Sequence, residues 1–238
     1  MTIERAKLCV ALDALSPDDA VAMGLSLKGA VDVMKIGLGL YARGGNDIVA
    51  RFVDQGFSVF LDLKLHDIPS QVGDAVGVVA GLGVSYLTIH TSGGSEMMRY
   101  AAQARDAHGG DTPVKLLGVS VLTSLSEEHL GEVGVQVPVE ETVARRVELA
   151  AHCGIDGIVC SPKELQTIRP VADQFGLIRV TPGIRPKSAS VGDQQRIATP
   201  SDAIADGANV LVVGRPIKNA DNPYEAAMAI RREMGLVS

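Results

Sequence analysis

The sequence predicts a single (β/α)8 barrel, one α/β domain spanning residues 1–238. Short β-branched and leucine-rich runs alternate with longer segments of helical period along the whole chain. Four helix starts repeat one pattern of capping residue, proline and acid. No linker rich in Pro, Gly or Ser and no low-complexity tract divides the series. The length of 238 residues suits one α/β barrel. Eight unbroken units favour a closed parallel barrel, with a doubly wound sheet as the alternative that pattern alone leaves open.

The predicted strands are residues 8–13, 31–36, 58–65, 86–90, 115–122, 157–160, 178–181 and 210–213, each followed by a helical segment. In the first, Leu8, Val10 and Leu12 face one way and Cys9, Ala11 and Asp13 the other. In the second, Val33 and Lys35 share a face. The third places Leu61, Leu63 and Leu65 toward the helices and turns Asp62 and Lys64 into the barrel mouth. Helices start at Ser16-Pro17-Asp18-Asp19, Ser161-Pro162-Lys163-Glu164, Thr199-Pro200-Ser201-Asp202 and Asn222-Pro223-Tyr224-Glu225. In each, the capping side chain satisfies a first-turn N–H, the proline sits where no N–H is needed, and the acid suits the positive helix end.

Composition narrows the function. Hydrophobic residues make up 46%, enough for a large core. A net charge of −6 disfavours nucleic acid and anionic membrane surfaces, although local Arg and Lys can still set the sign of a pocket. Aromatics at 3% with no Trp argue against a base-stacking platform. Cys9, Cys153 and Cys160 lack metal-ligand or CxxC spacing and fit a reducing compartment. With neither a signal peptide nor a bilayer-length apolar run in the sequence, a cytoplasmic location is expected.

In this architecture chemistry lies at the C-terminal ends of the strands. Asp13, Lys35, Asp62 and Lys64 converge there from three neighbouring strands. A structural ion-pair cluster is the plain alternative, but four alternating charges at the functional rim favour a site. Interleaved ammonium groups repel a cation, and no HxH, HExxH or carboxylate cluster is present, so no metal is expected. After the seventh strand come Pro182-Gly183-Ile184-Arg185 and then Gly192-Asp193-Gln194-Gln195-Arg196; after the eighth comes Gly214-Arg215-Pro216. Glycine admits close backbone approach and arginine grips two phosphate oxygens, so these loops read as a phosphate clamp. Either loop alone would read as an ordinary turn beside a surface arginine.

Asp62-Leu63-Lys64-Leu65-His66-Asp67-Ile68-Pro69 resembles the DxKxxDIP signature of the orotidine 5'-phosphate decarboxylase family. Ala11-Leu12-Asp13, Met34-Lys35-Ile36-Gly37, His90 with Gly93-Gly94, Leu122-Thr123-Ser124, Pro182-Gly183-Ile184-Arg185, Gly192-Asp193-Gln194 and Val213-Gly214-Arg215-Pro216 extend the likeness over the whole chain. The resemblance implies a homodimeric barrel that converts orotidine 5'-phosphate to UMP and CO2 with no cofactor. It implies that Lys64, Asp62 and Asp67 form the reaction centre, with Asp67 supplied by the other subunit. Asp13 and Lys35 would contact the ribose, Thr123 the pyrimidine region, and Gln194 both base and phosphate. Arg185, Gly214 and Arg215 would hold the phosphate, and Ile68 and Pro182 would complete the substrate-binding set.

One departure concerns Ser70-Gln71, which stands where many members carry Asn-Thr. The longer Gln71 amide is the candidate replacement for that threonine's contact across the dimer. His66 is expected to be structural because it falls where the chain turns, and His90 ends a strand without an assigned role. The nearest alternative is a related magnesium-dependent decarboxylase of keto-hexulose phosphates; a non-catalytic nucleotide sensor is the alternative from another class. Ile68-Pro69 and Gln194 favour the nucleotide enzyme over the first, and the Asp62, Lys64 and Asp67 set favours it over the second.

Overall fold

The computed structural model describes residues 5–109, 113–186 and 198–237. Eight parallel strands close into a barrel in sequence order. They are β1 (Lys7–Ala11), β2 (Val33–Gly37), β3 (Ser58–Leu65), β4 (Tyr86–His90), β5 (Lys115–Val119), β6 (Gly157–Val159), β7 (Ile178–Thr181) and β8 (Val210–Val213). β1 pairs with both β2 and β8, so the described sheet has no open edge and the doubly wound alternative is set aside.

Around it, among the described residues, lie α1 (Pro17–Ser26), α2 (Leu38–Asp54), α3 (Pro69–Ala80), α4 (Gly94–His108), α5 (Glu127–Glu132), α6 (Val139–His152), α7 (Leu165–Phe175), α8 (Pro200–Ala205), α9 (Arg215–Lys218) and α10 (Pro223–Glu233). All four predicted caps form. Ser16, Thr199 and Asn222 accept the backbone N–H of Asp19, Asp202 and Glu225. Ser161 caps a 3-10 turn that leads into α7, and Glu164 reaches back to the Ser161 N–H at 2.9 Å.

Strands β3, β4, β7 and β8 end where the sequence places them. β1, β5 and β6 stop earlier at their C-terminal ends; beyond β1 and β5 the chain leaves the ladder and Asp13, Val121 and Leu122 line the barrel mouth, while Cys160 after β6 stays buried in the outer core. Leu12 and Ser120 each keep one backbone hydrogen bond to the neighbouring strand as they depart. β2 starts two residues later and runs on to Gly37.

Two cores result from the alternation of side chains. Leu8, Val10, Met34, Ile36, Leu61, Leu87 and Ile89 pack outward beneath the helices. Cys9, Ala11, Val33, Phe60, Tyr86, Leu117, Val180, Val210 and Val212 fill the barrel interior. The Phe60 and Tyr86 rings meet edge to face at 6.0 Å there. Burying a side chain such as Phe60 contributes about 1.5–3 kcal/mol. This plug closes the barrel below and leaves the polar ends of β1, β2 and β3 above it. Among the described residues, no helix is long and apolar enough to cross a membrane.

Candidate active site

A cavity of about 460 Å³ opens at the C-terminal end of the barrel. Ala11, Phe60, Val159 and Val212 supply apolar lining, and Asp13, Lys35, Asp62, Lys64, Arg185, Arg215 and Lys218 bring charge. The volume suits a nucleotide-sized ligand.

The charged array follows from strand register. Gly37 pairs with Asp62, and Ala11 pairs with Lys35, so Asp13 and Asp62 stand near one level and Lys35, two residues lower, reaches both with its longer side chain. Lys35 Nζ lies 3.0 Å from Asp13 Oδ2 and 3.2 Å from Asp62 Oδ2, while Lys64 Nζ lies 2.8 Å from Asp62 Oδ1. Charges therefore alternate in the order Asp13, Lys35, Asp62, Lys64. Lys35 and Asp62 are buried, whereas Asp13 and Lys64 face the opening. Gly37 makes the approach possible: a Cβ there would stand 2.1 Å from Asp13 Oδ1.

Burial alone would raise the Asp62 carboxyl. The ammonium groups of Lys35 and Lys64, with hydrogen bonds from Lys64 and Thr88, outweigh burial and hold it below its ordinary range. Burial likewise acts to lower Lys35, but Asp62 and Asp13 overcome it and raise the ammonium. Both groups are thus charged at neutral pH before any substrate arrives.

Lys64 departs from plain strand geometry. β3 and β4 are in register at Leu61 with Leu87 and again at Leu65 with Ile89, so β3 carries extra residues in a bulge between those points. Lys64 sits in that bulge with φ at 53°, a left-handed conformation that costs a non-glycine residue roughly 1–2 kcal/mol. Its N–H donates to Thr88 Oγ1 at 2.9 Å, and the Thr88 hydroxyl donates to Asp62 Oδ1 at 2.9 Å.

The side of the cavity built by the segments after β7 and β8 is cationic. Gly183, in a left-handed turn at φ 83°, leads β7 to Arg185, whose Nη1 donates to the Ile184 carbonyl at 2.9 Å. Arg215 opens α9 directly after Gly214. Lys218, three residues on and so on the same side of the helix, also lines the cavity and hydrogen-bonds the Asp13 main-chain carbonyl. Burial, with Lys35 and Arg215 nearby, holds the Lys218 ammonium below its usual value, although Asp13 acts to raise it. The sequence reading missed Lys218; its spacing from Arg215 was the available signal.

Of the expected site residues, Asp13, Lys35, Asp62, Lys64, Thr123, Pro182, Arg185, Gly214 and Arg215 line this one cavity. Asp67 and Ile68 do not line it. Both are exposed beyond the end of β3, where Asp67 Oδ1 accepts the Ile68 N–H at 2.7 Å. Gln194, the Gly192-Asp193 pair and Arg196 lie outside the described residues. His66 and His90 pair their rings at 5.5 Å beside the site without lining it. Among the described residues, the partner of His66 is thus the His90 ring. Burial raises the thiols of Cys9 and Cys160 far above their ordinary value, which leaves no thiolate nucleophile there. Among the described residues no three His, Cys, Asp or Glu side chains gather as a metal site.

The family described as "Orotidine 5'-phosphate decarboxylase / HUMPS family" matches residues 6–230. The chain is 47% identical to orotidine 5'-phosphate decarboxylase of Opitutus terrae, over 95% of this chain and 97% of that protein. It is 48% identical to the enzyme of the same name from Syntrophotalea carbinolica, over 97% and 95%. The crystal structure of orotidine 5'-phosphate decarboxylase from Lactobacillus acidophilus superposes with a TM-score of 0.84 at 34% identity, covering 96% of this chain and 99% of that one.

Proposed function

The chain belongs to the orotidine 5'-phosphate decarboxylase / HUMPS family, and from that membership we infer that it converts orotidine 5'-phosphate to UMP and CO2. That reaction is the final step of de novo pyrimidine nucleotide synthesis, and it makes the protein a carboxy-lyase.

The observation that carries the assignment to this cavity is the alternating array from Asp13 to Lys64 sharing one pocket with the cations Arg185, Arg215 and Lys218. Losing CO2 from C6 of the orotate ring leaves a carbanion in the ring plane, with no adjacent π system to delocalise it. An ammonium at that carbon stabilises the developing charge and then delivers a proton to C6, and Lys64 is the group for both tasks. Asp62 lies against the departing carboxylate. Its repulsion of that group is relieved as CO2 leaves, and it keeps the Lys64 ammonium aimed. Lys35 and Asp13 hold the ribose hydroxyls, Thr123 reads the pyrimidine, and Ile68 and Pro182 pack on the substrate. Arg185, Arg215 and the Gly214 backbone bind the phosphate, with Gln194 spanning phosphate and base. The phosphate takes no part in bond breaking; its binding energy closes the site over the reacting ring.

Asp67 completes the charge array of the neighbouring barrel in a homodimer. Its exposure and its absence from the cavity lining of its own chain support this reading. The reaction uses no cofactor and no metal, because the ammonium performs the work that an electron sink performs elsewhere.

Turnover is followed by the absorbance change as orotidine 5'-phosphate becomes UMP, with EDTA present throughout. Full activity is expected. Activity that disappears with EDTA and returns with magnesium would assign the chain to metal-dependent chemistry instead.

A further inference from the structure

We propose that Thr88 is a positioning residue of the reaction centre, its single hydroxyl locking the Asp62 carboxylate and the Lys64 backbone to each other. The inference rests on the decarboxylase reading of the site.

Thr88 lies on β4, facing into the barrel, and is completely buried. It does not line the cavity, so any effect on the reaction runs through its two partners. Among the inward-facing residues around it, Phe60, Tyr86 and Leu117 belong to the interior packing layer. A valine would fill the same volume, and a hydroxyl buried at this depth needs polar partners to offset its desolvation. Its proton goes to Asp62 Oδ1 at 2.9 Å, and a lone pair takes the Lys64 N–H at 2.9 Å.

Both bonds occur where the sheet stops providing them. Between Leu61 and Leu65 the β3–β4 register shifts, so the backbone of Lys64 has no regular ladder position opposite β4. The threonine side chain stands in for that partner and helps retain the left-handed turn at Lys64. That turn fixes where the lysine side chain starts, and hence where its ammonium ends. The second bond acts on the other half of the pair. Asp62 Oδ1 is shared by Lys64 Nζ and Thr88 while Oδ2 faces Lys35, which leaves the carboxylate one orientation. One buried hydroxyl thereby sets the relative placement of the proton donor and the carboxylate beside it.

The test compares Thr88→Val, which keeps the shape and deletes the hydroxyl, with Thr88→Ser, which keeps the hydroxyl. Thr88→Ala deletes the hydroxyl without adding bulk, and it takes the place of the valine variant if that one does not fold. Misplacing a reacting group by about 1 Å can cost on the order of 10²-fold, and a kcat loss of that size is expected for Thr88→Val. UMP affinity should be unchanged, and Thr88→Ser should retain most of the wild-type kcat. Amide exchange without substrate supplies a reading independent of turnover: Lys64 N–H should lose protection in Thr88→Val and keep it in Thr88→Ser. Unchanged kcat in Thr88→Val, equal losses in the valine and serine variants, or UMP affinity falling in step with kcat would each overturn the inference, as would an unaltered Lys64 amide. A wild-type enzyme that leaves orotidine 5'-phosphate untouched would instead sink the decarboxylase reading itself.

Discussion

At the residue scale, strand alternation made Asp62 and Lys64 legible as inward-facing partners, and the structure brings them to 2.8 Å. The left-handed backbone of Lys64 and its tie to Thr88 were not legible. A bulge depends on how two strands pair, and neither strand carries that information alone. Lys64→Ala is expected to abolish measurable decarboxylation while UMP still binds. Removing a positioned proton donor costs about 10²–10⁴-fold, and here the same ammonium also stabilises the carbanion. Turnover retained within about tenfold of wild type, a barrier change of only about 1.4 kcal/mol, would end that mechanism. His90 supplies a separate test through pH. Burial first, then the charges of His66, Arg146 and Lys64, lower its imidazole from 6.5 to about 4. As pH falls through that interval the unfolded chain binds a proton that the folded chain refuses, so stability drops between 6.5 and 4 and this contribution levels off below. Asp62 does not shape that window, because its folded value lies below the ordinary 3.8. Its contribution is fully present well above the unfolded value and is lost as pH falls from there through the lower folded one. His90→Gln should therefore flatten the decline of Tm over that interval, and profiles running parallel in variant and wild type would count against a neutral, half-buried His90.

At the element scale, the four proline-bearing helix starts were the most readable features, because capping depends on a few adjacent residues. Each forms the expected bond from side chain to backbone. Strand ends were less readable where the chain leaves the ladder to build the site, as beyond Ala11 and Val119, since hydrophobic runs continue past the last paired residue. The order of the loops after β7 and β8 and their arginines read as a phosphate clamp, and both Arg185 and Arg215 reach the cavity. Lys218 was not legible as a site residue because its place comes from the turn of α9, which carries it to the Asp13 carbonyl. Arg215→Ala should weaken the phosphorylated substrate by roughly 1.5–3 kcal/mol, the usual worth of a charge-assisted phosphate contact. Orotidine lacking the phosphate should be nearly indifferent to the change. Equal losses of kcat/KM for the two substrates would place Arg215 away from the phosphate.

At the scale of the whole molecule, eight alternating units forecast a closed barrel, and pairing of β1 with β8 completes it. Sequence could not show from local geometry which pocket Asp67 serves, because a shared site would depend on a surface between two chains. Within one chain the residue is exposed, bonded to the Ile68 N–H, and absent from the cavity that holds Asp62 and Lys64. Ile68 is 61% exposed beside it, an apolar side chain that burial against a second barrel would cover. A two-fold interface would offer the same patch from each side, so each barrel would receive the Asp67 that its partner gives. Complementation tests this arrangement directly. Asp67→Ala and Lys64→Ala homodimers should each be nearly inactive. A mixed dimer has one site lacking both residues and one site retaining both. With full statistical exchange, half of all dimers are mixed and each has one intact site, so activity should approach about one quarter of wild type. If subunit exchange is demonstrated by mass and the mixture stays inactive, Asp67 acts within its own chain and the shared-site arrangement is wrong.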